Sequence, residues 1–116
     1  MRTSKLSDYK RGWIIGNFDP SILNLKDVEV GIQEYKSGEI HEEHHHKLAT
    51  EINVVIKGKC LVYLRSNNQD KSYIENVFSS GDIFIVEPNE SIQFESKEDC
   101  IILCIKYPSV QGDKYS

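Results

Sequence analysis

Cysteine is scarce in this chain, and its number does not allow full pairing. Cys60, Cys100 and Cys104 are the only three among 116 residues. All three sit in or beside apolar runs, so they read as buried free thiols of a reducing compartment. No Cys-x-x-Cys occurs, which removes the usual signature of a structural zinc site. No apolar run approaches the roughly 20 residues that span a bilayer. The stretch from Met1 to Arg11 is polar and charged, unlike a secretory signal. A cytoplasmic protein is therefore expected. Positive charge is also short: 14 Lys and Arg stand against 18 Asp and Glu, for a net charge of -4 and a pI near 5.5. Such a surface does not attract nucleic acid or anionic membranes, and neither is expected as a partner.

An amphipathic helical period of useful length is missing as well, along with internal repeats and low-complexity linkers. What is present is a series of short β-type segments. Val28, Val30 and Ile32 alternate with Glu29 and Gly31, the pattern of a half-buried strand. Glu51-Ile52-Asn53-Val54-Val55-Ile56-Lys57 is β-branched and stops at Gly58, with Glu51, Asn53 and Val55 on one face. Further strands are expected at 60–65, 73–78, 83–86 and 91–95, with a polar hairpin loop at 66–71. Cys100 to Ile105 is apolar on both faces, which predicts a central, fully covered strand. Short strands at regular spacing between Gly, Pro and Asn turns indicate an all-β sandwich or barrel. The length fits one domain, residues 1–116, with a core at about 28–107, an N-terminal arm at 1–12 and a polar tail at 108–116.

All four histidines, His41, His44, His45 and His46, fall within six residues. His44 and His46 are two apart, so on a strand they share a face about 6.6 Å apart along the backbone. Glu51 opens the next apolar segment and can add a carboxylate from a neighbouring strand. Two imidazoles and a carboxylate are the facial triad of non-haem Fe(II) sites, with coordination positions left open. A buried carboxylate also needs a cation or hydrogen-bond partner, which a metal or a lysine could supply. His41 and His45 look like exposed members of a Glu- and Lys-rich loop. Tyr35, Asn53, Tyr63 and Gln93 are candidate substrate contacts, although aromatic strand residues are often plain packing.

Gly38, five residues, His44-x-His46, four residues, Glu51, six residues, Gly58 resembles the first motif of the cupin superfamily at every defined position. Gly81, Asp82, Pro88 and Phe94 resemble its second motif. Glu87 and Asn89 stand where the family usually has proline and glycine, and Ile92 stands where it has a fourth ligand histidine. Ile92 cannot ligate, and Gln93 faces the other side of its strand unless the register shifts by one. The resemblance implies a small single-domain cupin, a double-stranded β-helix or jelly-roll barrel. It implies metal ligation by His44, His46 and Glu51. In small cupins an N-terminal strand often pairs with a second subunit. That makes Gly12–Gly16, with Trp13, a candidate homodimer element, unless Trp13 simply caps the core.

Two functional classes follow. One is a metal-dependent enzyme acting on a small polar molecule. It would be dioxygenase-like with Fe(II), or a Lewis-acid isomerase or lyase with Mn, Ni, Co or Zn. The other is a non-catalytic or metal-free cupin that binds a sugar or nucleotide sugar, as a binding protein or as an epimerase or isomerase using a histidine base. The absent fourth ligand favours the second. The scarcity of arginine, only Arg2, Arg11 and Arg65, speaks against phosphorylated substrates. A structural protein that kept the fold alone is the third possibility.

Overall fold

Among the described residues the β-branched and alternating segments form nine strands: β1 Trp13–Ile15, β2 Glu29–Tyr35, β3 His44–His45, β4 Thr50–Lys57, β5 Lys59–Arg65, β6 Ile74–Ser79, β7 Ile83–Val86, β8 Ser91–Ser96 and β9 Cys100–Tyr107. Two short 3-10 turns, Leu6–Asp8 and Lys10–Gly12, precede them in an exposed N-terminal arm. The computed structural model describes residues 1–66 and 72–116. The hairpin loop expected at 66–71 therefore lies, from residue 67 on, outside the described residues. Among the described residues no helix is long and apolar enough to cross a membrane.

All pairings between the strands are antiparallel, in a five-stranded sheet of order β1-β2-β9-β4-β7 and a four-stranded sheet of order β3-β8-β5-β6. The period-2 pattern decides what each strand buries. On β4, Glu51, Asn53 and Val55 are buried while Ile52 and Val54 are only half-buried. On β5 and β8 the inward residues include Cys60, Val62, Ile92 and Phe94. With Val55, Phe84, Val86, Cys100 and Ile102 they form the apolar core. Each such side chain, fully buried, is worth about 1.5–3 kcal/mol if large. The core occupies one end of the space between the sheets, and the polar inward residues of β2, β4 and β9 occupy the other.

Strand β9 is central, between β2 and β4, but it is not covered on both faces as its composition suggested. Its outer residues line up with outer residues of its neighbours in two rows. One row is Val30, Ile105, Ile52 and Ile85, and the other is Ile32, Leu103, Val54 and Ile83. Ile83 and Ile85 are 59% and 54% exposed. The apolar second face of β9 thus belongs to an open sheet surface.

Turn chemistry follows the expected punctuation with one substitution. Asn89, in the place of a glycine, has φ +71, a left-handed conformation that asparagine tolerates better than most residues. Gly58, between β4 and β5, has φ +92, and a Cβ there would lie 2.2 Å from the carbonyl oxygen of Asp99. Both the backbone angle and the space require glycine. Gly58→Ala should therefore cost about 2 kcal/mol or more in urea-induced unfolding. A variant as stable as the parent would show that this turn relaxes freely.

Candidate metal centre

Three side chains converge at the polar end of the barrel. His44 comes from β3, His46 from the residue just after it, and Glu51 from β4. One ligand atom from each lies within 4.8 Å of the others. Among the described residues no other trio of His, Cys, Asp or Glu does so. The two imidazole centroids are 5.3 Å apart and the rings nearly perpendicular, at 82°. β3 is only two residues long. The backbone nonetheless stays extended enough for residues 44 and 46 to reach the same side.

Backbone carbonyls hold both rings through the same nitrogen. His44 Nδ1 lies 3.3 Å from the Glu42 carbonyl oxygen, and His46 Nδ1 contacts the carbonyl oxygen of Asp113. A neutral imidazole that donates from Nδ1 presents its Nε2 lone pair to the site. Burial lowers the pKa of His44, which keeps that ring neutral.

Glu51 is 8% exposed. Burial alone would push its pKa up, but contact with His46 and the charge of Lys106 hold it down near 2. Cys104, on β9, donates its thiol to Glu51 Oε1 at 3.3 Å. Burial and the adjacent carboxylate raise the pKa of this thiol. The other oxygen, Oε2, faces His46 Nε2 at 3.3 Å. Both of these buried atoms lack a hydrogen-bond partner among the described residues. A buried carboxylate oxygen and a buried imidazole nitrogen aimed at one point form a donor set that suits a divalent cation.

The site opens into a cavity of about 880 Å³. Tyr35 and Asn53 line it, and the Asn53 amide nitrogen has no hydrogen-bond partner among the described residues. Tyr63 and Gln93 do not line it. They pair with each other across β5 and β8 on the face opposite to Val62 and Phe94, so they point away from the barrel interior. Ile92 does line the cavity, opposite His44 in the register of β3 and β8. It puts an aliphatic wall where the resemblance has its fourth ligand. His41 is exposed, as its surroundings suggested, but His45 is not. His45 is 3% exposed and its ring stacks on Tyr115. Trp13 lines the cavity, with the Lys106 ammonium 4.7 Å from its ring centroid, and Lys106 also pairs with Glu29 at 3.6 Å. Residues 110–116 line the cavity too, which nothing in the polar tail had signalled.

The depressed pKa of Glu51 sets a pH dependence in metal-free protein. Its folded value lies below the ordinary carboxylate value of 4.5, so the stability it contributes is full above about pH 4.5 and is lost as pH falls toward 2. Over that window the unfolding free energy of Glu51→Gln should fall less steeply with decreasing pH than that of the parent. Parallel curves would show that Glu51 carries no such shift.

Neither a family model nor a curated protein sequence matches the chain. Solved structures do resemble it. KdgF from Halomonas sp. superposes with a TM-score of 0.62 at 19% identity, covering 72% of this chain and 71% of that one. The oxalate decarboxylase of Bacillus subtilis gives 0.68 at 16% identity, over 78% of this chain and 24% of that one. The capsular polysaccharide assembling protein CapF of Staphylococcus aureus gives 0.66 at 20% identity, over 82% of this chain and 29% of that one. The chain thus spans less than a third of the latter two. These likenesses, with the two antiparallel sheets, identify the fold as a cupin-type β-barrel.

Proposed function

We propose that His44, His46 and Glu51 hold one divalent first-row metal ion, and that the protein is an enzyme acting on a small polar molecule in the adjoining cavity. The observation that carries this reading is the convergence of three ligand atoms within 4.8 Å, two of them buried and without a hydrogen-bond partner among the described residues. Bound there, Fe(II) would supply oxygen-dependent chemistry of the dioxygenase kind, and Mn, Ni, Co or Zn a Lewis acid for an isomerase or lyase. The chain's own residues shape what can enter. Asn53 offers a free amide donor beside the ligands, Tyr35 and Phe94 form an aromatic wall, and Ile92 keeps the position opposite His44 apolar. The three buried free thiols fit a reducing cytoplasm.

A second reading is favoured by the replacement of the fourth ligand with Ile92, and by the direct approach of His46 to Glu51 at 3.3 Å. Without a metal, that pair would act as a buried acid–base couple on a sugar or nucleotide sugar. The likeness to a capsular polysaccharide assembling protein is in keeping with such a ligand. Metal content separates the two. Tag-free protein purified without chelator should carry close to one equivalent of a transition metal by mass spectrometry, and a His44→Ala/His46→Ala variant none. No metal in either, even after reconstitution, would overturn the metalloenzyme reading and leave the sugar-binding one.

The working form on this reading is a homodimer closed through the open face of the five-stranded sheet. Strands β2, β4 and β9, about 4.8 Å apart and some 25 Å long, with the shorter β7 beside them, present a footprint of roughly 400 Å², before side-chain relief is added. That lies within the range for apolar patches on monomers and is about half of the roughly 800 Å² per partner of a standard interface. The two middle rows carry no charge that would select a different partner, so a second copy packed sheet on sheet is the occupant that matches the face. Sedimentation velocity should give twice the 13.4 kDa chain mass. Ile83→Lys/Ile85→Lys, at exposed positions, should give the monomer with an unchanged circular dichroism spectrum. A parent that sediments as a monomer at tens-of-micromolar concentration would overturn this assignment.

A further inference from the structure

The tail after β9 is polar in sequence, yet Asp113 is 5% exposed. Its carboxylate sits inside the turn that joins β3 to β4. Oδ1 accepts the backbone N–H groups of Lys47 at 2.9 Å and Leu48 at 3.3 Å, and Oδ2 accepts those of Leu48 at 3.1 Å and Ala49 at 3.0 Å. This turn is the segment that separates His46 from Glu51. The tail also forms a two-way backbone bridge to β3: His45 N–H donates to the Tyr115 carbonyl at 2.8 Å, and Tyr115 N–H donates to the His45 carbonyl at 2.9 Å. The Tyr115 ring stacks on His45, with centroids 5.5 Å apart, and the Lys47 ammonium lies 4.1 Å from the centroid of the same ring. His46 is thus bracketed on both sides by contacts from residues 113–115, and its own Nδ1 meets the Asp113 carbonyl oxygen.

We propose that Asp113–Tyr115 is a positioning strap. It sets the spacing between His46 and Glu51 and the orientation of the His46 ring. The Asp113 carboxylate fixes the turn between the two residues through the backbone donors of Lys47, Leu48 and Ala49. The Asp113 carbonyl holds the ring at Nδ1, so that Nε2 faces Glu51 Oε2 at 3.3 Å, and a cation fits at the point both face. Without the strap the turn and the ring are released, and His46 is lost as an oriented ligand. Partners of this kind are commonly worth 10–100-fold in metal affinity.

The consequence for affinity rests on the metal-binding reading, but the consequence for the turn does not. The test is therefore run on both. In metal-free full-length protein the Lys47, Leu48 and Ala49 amides should be protected from hydrogen exchange. In a variant ending at Gly112 that protection should be lost. Zn(II) and Co(II) affinities of that variant should fall by roughly 10–100-fold, with a changed Co(II) absorption spectrum. Asp113→Ala tests the turn alone, and Asp113→Asn, which keeps the carbonyl and one side-chain acceptor, should lose less than Asp113→Ala. Circular dichroism identifies variants that fail to fold, and the two point substitutions keep the test open if the truncation does. Unchanged amide protection and affinity in folded strap variants would overturn the proposal. Lost protection in a protein that takes up no metal would uphold the strap and overturn the metal reading.

Discussion

Everything at the polar end of this barrel answers to one constraint, the burial of Glu51. A carboxylate removed from water must find charge or hydrogen bonds nearby. The strands supply three partners. Cys104 gives a thiol donor to one oxygen, Lys106 gives a positive field from two residues further along β9, and His46 brings a ring nitrogen to the other oxygen. Only the first is a hydrogen bond. The remaining oxygen and its facing nitrogen stay unsatisfied among the described residues. In a fold whose apolar end is closed by Val55, Cys60 and Cys100, such polar atoms left without bonds are costly unless something binds between them.

Strand alternation turns both sets of residues inward, and position along each strand separates the two ends of the interior. β4 contributes Glu51 and Asn53 to the site and Val55 to the core, all on one face. β9 contributes Lys106 and Cys104 to one end and Ile102 and Cys100 to the other. No insertion or additional domain is needed to build the cavity. A shift of one residue in the register of β4 would turn Glu51 and Asn53 outward together. The bulge near Val55 and Lys57 and the positive-φ turn at Gly58 come after them in the strand, where they leave this register undisturbed.

Much of this arrangement was legible in the sequence, and the misreadings have physical causes. The inward face of β4 was readable because Glu51, Asn53 and Val55 alternate into a β-branched run, and His44-x-His46 was readable from spacing. Tyr63 was not, because Cys60 to Leu64 is apolar on nearly every residue and gives no parity to read. Gln93 could have been excluded, since Ile92 and Phe94 on either side fix the opposite face as the inner one. His45 looked exposed because the residues around it are charged. Its burial comes from Tyr115, seventy positions later in the chain. Asp113 carried no local signal at all. Its three backbone donors lie in a turn that only the tertiary fold brings to it. The doubly apolar character of β9 was real, but it reported an open sheet surface rather than a neighbour within the same chain.

The absence of a fourth histidine changes how the remaining donors must be held. Ile92 lies opposite His44 and lines the cavity, so the position is correctly placed and the side chain is simply unable to ligate. A site with four protein donors tolerates some freedom in each, because the others fix the centre. With three, the orientation of each imidazole matters more. Here neither ring is free to choose: His44 is tied to Glu42 within its own loop, and His46 to Asp113 from the far end of the chain. The local tie survives any change that leaves β3 intact. The remote one depends on the tail staying docked against His45 and Lys47. Of the three converging side chains, one is thus held within its own loop, one by a strand register, and one by residues almost seventy positions away.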